Sequence, residues 1–253
     1  MSKTRRDFMT AAAGAAALLS KPQRASAVAA GIKAIAFDGF TIIDPRPVAA
    51  QAEQTFPGQG KALMTAWRTQ QFGYAWLRTM GGRYVDFWRV TEDALEAAAR
   101  ALKLDLDPTR RDHLMQSWLE LKAWPDAVPV LRRLDAAGVK LVFLSNFTAA
   151  MLDAAVKDSG LDGLFQPHLS TDRVQAYKPD PRAYRMALDA FKLAREEVAF
   201  VAFAGWDVAG AKWFGYRTYW ANRAGALPDK LDAAADLEAA DFSMLEDFVG
   251  LRA

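Results

Sequence analysis

Four short clusters place reactive side chains at widely separated points of the sequence: Asp38, Ser145-Asn146, Lys178 within Tyr177-Lys178-Pro179-Asp180, and Asp207 within Gly205-Trp206-Asp207. A carboxylate is ionised near neutral pH, can attack as a nucleophile and can leave again as an acyl group. A lysine can hold it through a charge-assisted hydrogen bond. A second carboxylate can fix that lysine or a water, and a hydroxyl–amide pair can bind an acid. Taken singly, each cluster has a plainer reading. Asp38 would be a helix cap or turn residue, Ser145-Asn146 an N-cap, and Lys178-Pro179 a solvated turn. Their order and spacing together carry the functional reading.

These clusters need strands to present them. Residues 32–37 read as a short strand ending at Asp38, and residues 139–144 form a buried-type strand run ending before Ser145. Residues 198–204 give a third run, and 218–220 a short fourth. Helical patterns at 127–137, 148–159 and 181–191 separate them, and such alternation argues for a mostly parallel sheet with helices on both faces. In open sheets of this kind ligands bind beyond the carboxyl ends of the strands, which is where Asp38, Ser145-Asn146 and Gly205-Trp206-Asp207 fall, while Lys178 sits just before the helix starting near Pro181. Residues 48–122 read as mostly helical, with breaks near 56–58 and 81–82. Trp67, Phe72, Trp76, Phe87 and Trp88 crowd this stretch and read mainly as core. The expected architecture is an α/β fold: a Rossmann-like parallel-sheet core from 28–46 and 125–253, with an inserted helical cap domain at 47–124. The alanine-rich stretch 231–240 reads as a surface helix.

Phe37-Asp38, Leu144-Ser145-Asn146, Tyr177-Lys178-Pro179-Asp180 and Trp206-Asp207, in this order, resemble the haloacid dehalogenase superfamily. The insertion resembles its type II (S)-2-haloacid dehalogenases in Ala66-Trp67-Arg68-Thr69-Gln70-Gln71, Tyr74-Ala75-Trp76-Leu77-Arg78 and Arg83-Tyr84-Val85-Asp86-Phe87. Thr91-Glu92-Asp93-Ala94-Leu95 and Trp213-Phe214-Gly215-Tyr216 continue the likeness, which spans nearly all of 32–250.

The resemblance implies hydrolytic dehalogenation of a small-molecule 2-haloacid substrate, with no cofactor and no metal. Asp38 would attack the α-carbon, and water would hydrolyse the resulting ester. Lys178 would orient Asp38, and Asp207 would position Lys178 or the water. Ser145 would bind the substrate carboxylate, and Asn146 would contribute to the halide site. Arg68 would close over the site from the cap to meet a carboxylate or halide. Phe87, Tyr184 and Trp206 would form apolar walls, and Thr41 would hydrogen-bond near the nucleophile. Related enzymes are often dimers, so a homodimer is implied as well.

Three departures from that pattern stand out. The nucleophile loop, Asp38-Gly39-Phe40-Thr41, is one residue shorter than in relatives, and Gly39 is expected to supply unusual backbone angles. Ala202 and Ala204 stand where dehalogenases usually carry serine and asparagine, which points to slowed ester hydrolysis. Phe40 occupies the position at which superfamily phosphatases hold a second Asp as general acid, and Ala202 leaves Asp207 without an acidic partner for Mg²⁺. The alternatives are an exported degenerate member that binds a small acid without efficient turnover, and a phosphatase of the same fold.

Composition narrows the remaining classes. The 253 residues are 52% hydrophobic and 25% charged, ordinary for a soluble globular chain. No cysteine is present, which excludes disulfides, thiolate catalysis and Cys-ligated zinc. His113 and His168 are the only histidines and have no nucleophile-elbow pattern beside them, so a Ser-His-Asp hydrolase is remote. Thr4-Arg5-Arg6-Asp7-Phe8-Met9, an apolar run over 11–19 and Ala25-Ser26-Ala27 describe a twin-arginine-type signal peptide over 1–27. The expected location is periplasmic, with membrane contact only during export. Residues 1–27 hold five Lys or Arg and one Asp, so cleavage would lower the formal net charge of +2 by four, to −2. A near-neutral mature chain gives no support for nucleic-acid binding.

Overall fold

The computed structural model describes residues 31–165 and 168–251. The signal-peptide reading falls outside them. The sheet has six strands: β1 (Ala34–Phe37), β2 (Lys140–Ser145), β3 (Leu169–Ser170), β4 (Val198–Ala202), β5 (Arg217–Ala221) and β6 (Leu237–Ala239). All neighbouring pairs are parallel, in the order β3-β2-β1-β4-β5-β6. The order reverses between β1 and β4, which creates the crevice where open α/β sheets bind ligands.

The strands are short unbroken apolar runs because both faces of the sheet are covered. Side chains alternate along each strand. Ile35, Phe37, Leu141, Phe143, Ala199 and Val201 enter one buried cluster. Ala34, Ala36, Val142, Leu144, Phe200 and Ala202 enter the other. The first cluster continues without interruption into the helical segment after β1, through Val48, Leu63, Trp67, Val90, Leu95 and Leu114.

That segment begins with a single turn, α1 (Gly39–Ile42), followed by α2 (Arg46–Thr55), α3 (Gly60–Met80), α4 (Phe87–Ala101) and α5 (Pro108–Gln116). Breaks fall at 56–59 and 81–86, as the sequence indicates; a further break at 102–107 was not legible there. Asp86 and Asp107 cap α4 and α5 by accepting from Arg89 N and Arg110 N. Beyond β2, helices α6 (Ala127–Ala136), α7 (Ala149–Asp158), α8 (Pro181–Phe191), α9 (Gly205–Phe214) and α10 (Leu245–Phe248) complete the layers.

Two expectations are corrected. The stretch 231–240 is not a helix: Leu237–Ala239 forms β6, paired with β5. Asp236 anchors its start by accepting from Thr218 N and Lys212 Nζ, each at 2.7 Å. Tertiary pairing thus overrides alanine's helix propensity. Gly39 has no unusual backbone angle either; it begins α1 in helical conformation. Space is what requires a glycine there, because a Cβ would lie 2.9 Å from Ser145 Oγ.

Candidate active site

Asp38 follows β1 directly and caps α1. Its Oδ1 accepts from Phe40 N at 2.9 Å, and its backbone N–H donates to Val201 O on β4 at 2.9 Å. Thr41 donates from Oγ1 to the Asp38 carbonyl at 2.7 Å. The loop at Asp38 is therefore pinned at main-chain and side-chain level.

Lys178 is completely buried, and its ammonium bridges two carboxylates: Asp38 Oδ2 at 2.7 Å and Asp207 Oδ2 at 2.6 Å. The backbone beside it is fixed by Lys178 N donating to Asn146 Oδ1 at 3.1 Å and by Trp76 Nε1 donating to the Lys178 carbonyl at 3.1 Å. Burial works to discharge the ammonium, but the two carboxylates outweigh it and raise the pKa above the ordinary lysine value. Asp207, in the first turn of α9, uses its other oxygen to accept from Tyr184 OH at 2.6 Å. Burial pushes the Asp207 carboxyl up to about 6; Lys178 opposes that rise and the charge of Asp38 adds to it.

A cavity of about 40 Å³ opens over Asp38, enough for a few water-sized bodies. Ser145 and Asn146, at the end of β2, form one side. Ser145 Oγ accepts from Phe147 N at 3.1 Å, and Asn146 Nδ2 donates to none of the described residues. Opposite them, α3 sends down one stripe at four-residue spacing: Arg68, Phe72 and Trp76. Phe72 and Trp76 pack on Trp206, with ring centroids 5.4 and 5.5 Å away. Arg68 lines the cavity with no hydrogen-bond or ion-pair partner among the described residues. Burial around the guanidinium lowers its pKa although the residue as a whole is exposed.

The structure brings together Asp38, Arg68, Phe87, Ser145, Asn146, Trp206 and Asp207 around this cavity, with Lys178 directly beneath. Thr41, fully buried, donates to the Asp38 main chain beside the cavity without lining it, and Tyr184, expected as an apolar wall, lies behind Asp207 rather than in the cavity wall. Asp180 caps α8 and pairs with Arg182, away from the cavity. Phe40, Phe72, Phe147, Phe203 and Ala204 complete the cavity lining. For Phe72 a signal existed: it lies four positions after Arg68 and four before Trp76.

Ala202 ends β4 fully buried, and Ala204 precedes α9 without a side-chain cap, so neither adds a polar group. Among the described residues no group of three or more His, Cys, Asp or Glu is arranged to hold a metal ion.

The chain is similar to known proteins along most of its length. A family model described as haloacid dehalogenase-like hydrolase matches residues 20–215. The (S)-2-haloacid dehalogenase of Pseudomonas sp. (strain YL) is 40% identical over 82% of this chain and 90% of its own length. Haloacetate dehalogenase H-2 of Moraxella sp. (strain B) is 39% identical over 81% of this chain and 92% of its own. A crystal structure of an L-2-haloacid dehalogenase superposes with a TM-score of 0.84 at 42% identity, covering 87% of this chain and 99% of the other.

Proposed function

This chain belongs to the haloacid dehalogenase-like hydrolases, and from that premise we propose that it converts short (S)-2-haloacids to 2-hydroxy acids through an ester on Asp38. The observation that carries the reading is the Asp38 carboxylate, tethered by Phe40 N and Lys178, at the floor of a cavity that also holds the unpartnered guanidinium of Arg68. The S configuration follows the names of the relatives.

In the first step an Asp38 oxygen attacks the α-carbon from behind the carbon–halogen bond. A C–O bond forms, and the halide leaves with the bonding electrons. Arg68 and Asn146 Nδ2 supply donors for the departing halide or the substrate carboxylate, and the Ser145 hydroxyl supplies another. The rings of Phe40, Phe72, Phe87 and Trp206 keep bulk water from the reacting carbon. In the second step water adds to the Asp38 carbonyl carbon, the ester C–O bond breaks at the acyl side, and the 2-hydroxy acid departs. The net change is one 2-haloacid and one water giving one 2-hydroxy acid, one halide and one proton.

Asp207, which lines the same cavity, receives the water's proton in this reading. Alkylation removes the negative charge of Asp38, one cause of the raised Asp207 pKa, so Asp207 becomes easier to ionise at that stage. Ala202 and Ala204 offer the water nothing, which makes ester hydrolysis the slower step. That feature also supports the second reading, a pocket that binds a small acid without efficient turnover. Phosphoryl transfer has less support, since Phe40 is packed against Phe147 and Phe203 where a general acid is needed.

Residues 28–253 incubated with each enantiomer of 2-chloropropionate test the proposal by free halide and intact protein mass. Catalytic halide release from one enantiomer, abolished in Asp38→Asn, supports dehalogenation. Halide limited to one equivalent with a lasting mass gain supports alkylation without hydrolysis, and neither signal rejects both. Periplasmic export and a homodimer belong to the same proposal. The dimer is supported by the exposure of Leu77, Met80 and Trp213, and sedimentation tests it.

A further inference from the structure

The small cavity above Asp38 has a large neighbour. Between α2 and α3 lies a cleft of about 540 Å³, against about 40 Å³ for the cavity itself. Phe40 and Arg68 line both spaces. One ring and one guanidinium therefore stand between the reacting carbon and the cleft, and the guanidinium has no partner to hold it in place.

The lining of the cleft is two-sided. Pro45, Ala49, Met64 and Trp118 give it an apolar floor, while Arg46, Lys61 and Arg68 give it a basic rim against the single acid Glu53. Arg46 is already occupied by Asp44. Lys61, like Arg68, pairs with no carboxylate among the described residues. An apolar passage with the unpaired ammonium of Lys61 at its rim suits a chain of methylenes that ends in an acceptor.

We propose that this cleft is a tail subsite, and that it takes the distal end of 2-halo dicarboxylic acids about six carbons long. The inference rests on the dehalogenase reading. The α-carbon and its own carboxylate would occupy the cavity over Asp38, the methylenes would pass Phe40 and lie along Ala49 and Met64, and the second carboxylate would meet Lys61.

The test compares kcat/KM for 2-bromopropionate, 2-bromohexanoate and 2-bromohexanedioate in wild type, Lys61→Gln and Thr65→Trp. Both changes lie on exposed cleft positions of α3, outside the cavity over Asp38. The expected result is a preference of about threefold or more for the six-carbon diacid over the six-carbon monoacid, in keeping with a partly exposed charge pair. Lys61→Gln erases that preference, and Thr65→Trp lowers both six-carbon acids about tenfold while 2-bromopropionate stays within twofold. Equal rates for the two six-carbon acids, or a loss shared by all three substrates in Thr65→Trp, overturn the proposal. If no acid releases halide, calorimetry with the unreactive 2-hydroxyhexanedioate separates the two claims. Binding that both substitutions weaken retains the cleft and rejects dehalogenation, whereas no binding rejects both.

Discussion

Lys178 and Asp38 lie 140 positions apart in sequence, yet the Lys178 ammonium donates to Asp38 Oδ2 at 2.7 Å in a site where the lysine is wholly buried. The pair is held in place because Lys178 is shared: the same ammonium also donates to Asp207 Oδ2 at 2.6 Å. One positive charge thus stands between two carboxylates, and it sets both the stability of the site and its chemistry.

Removing that charge is expected to be costly. Lys178→Met leaves Asp38 and Asp207 facing each other in a buried place, and breaking a buried ion pair costs about 3–5 kcal/mol. Urea denaturation should show a loss of that size, and initial halide release should fall by about a hundredfold or more. The double variant Lys178→Met/Asp207→Asn should recover much of the stability but not the rate.

The acid limb of activity should follow Asp207. Because Asp207 acts on the ester, kcat falls as pH drops and Asp207 is protonated. The limb lies below the value of about 6 to which burial pushes the carboxyl of the free enzyme, since alkylation of Asp38 eases its ionisation. Folding stability moves in the opposite sense. From about pH 4 to 6 the folded state keeps a proton that the unfolded chain has lost, so this group makes folding less favourable as pH rises through that window. The Tyr184 hydroxyl lowers the Asp207 pKa by its hydrogen bond, so Tyr184→Phe should shift the acid limb of a pH–rate profile upward.

Gly39 is predicted to matter for space. Gly39→Ala places a methyl 2.9 Å from Ser145 Oγ, beside the cavity, in a backbone conformation that alanine adopts freely. Thermal unfolding should change little, while KM for 2-bromopropionate rises several-fold as Ser145 is displaced. A large loss of stability with unchanged KM would instead indicate backbone strain at this position.

Ala202→Ser with Ala204→Asn should relieve the slower step. Steady-state samples quenched in acid and weighed intact should show less alkylated Asp38, and turnover should rise about tenfold, below the range of about 10²–10³ associated with a single well-aimed donor. An unchanged ester fraction would place the limit elsewhere.

Much of this arrangement could be read in the sequence because sheets of this type leave simple traces. Residues 34–37 alternate between two buried faces and so read as one apolar run, and the polar residues directly after such runs are the ones at the sheet's rim. Helix α8 has the boundaries expected from Pro181 and its apolar spacing. What stayed hidden depends on partners distant in sequence. Tyr184 reads as an aromatic wall until its hydroxyl is seen to donate to Asp207 Oδ1. The region 231–240 reads as helix until β5 is seen beside it. Arg68 gives no sign in sequence of standing between a small cavity and a large cleft.

The central claim is that an oxygen of Asp38 becomes the hydroxyl oxygen of the product, and isotope transfer tests it most directly. With enzyme in excess over (S)-2-bromopropionate in H₂¹⁸O, the first turnover should give unlabelled lactate, while ¹⁸O enters the peptide that contains Asp38. Labelled lactate from that first turnover, with an unlabelled Asp38 peptide, would mean that water attacks the α-carbon directly, and would contradict the account.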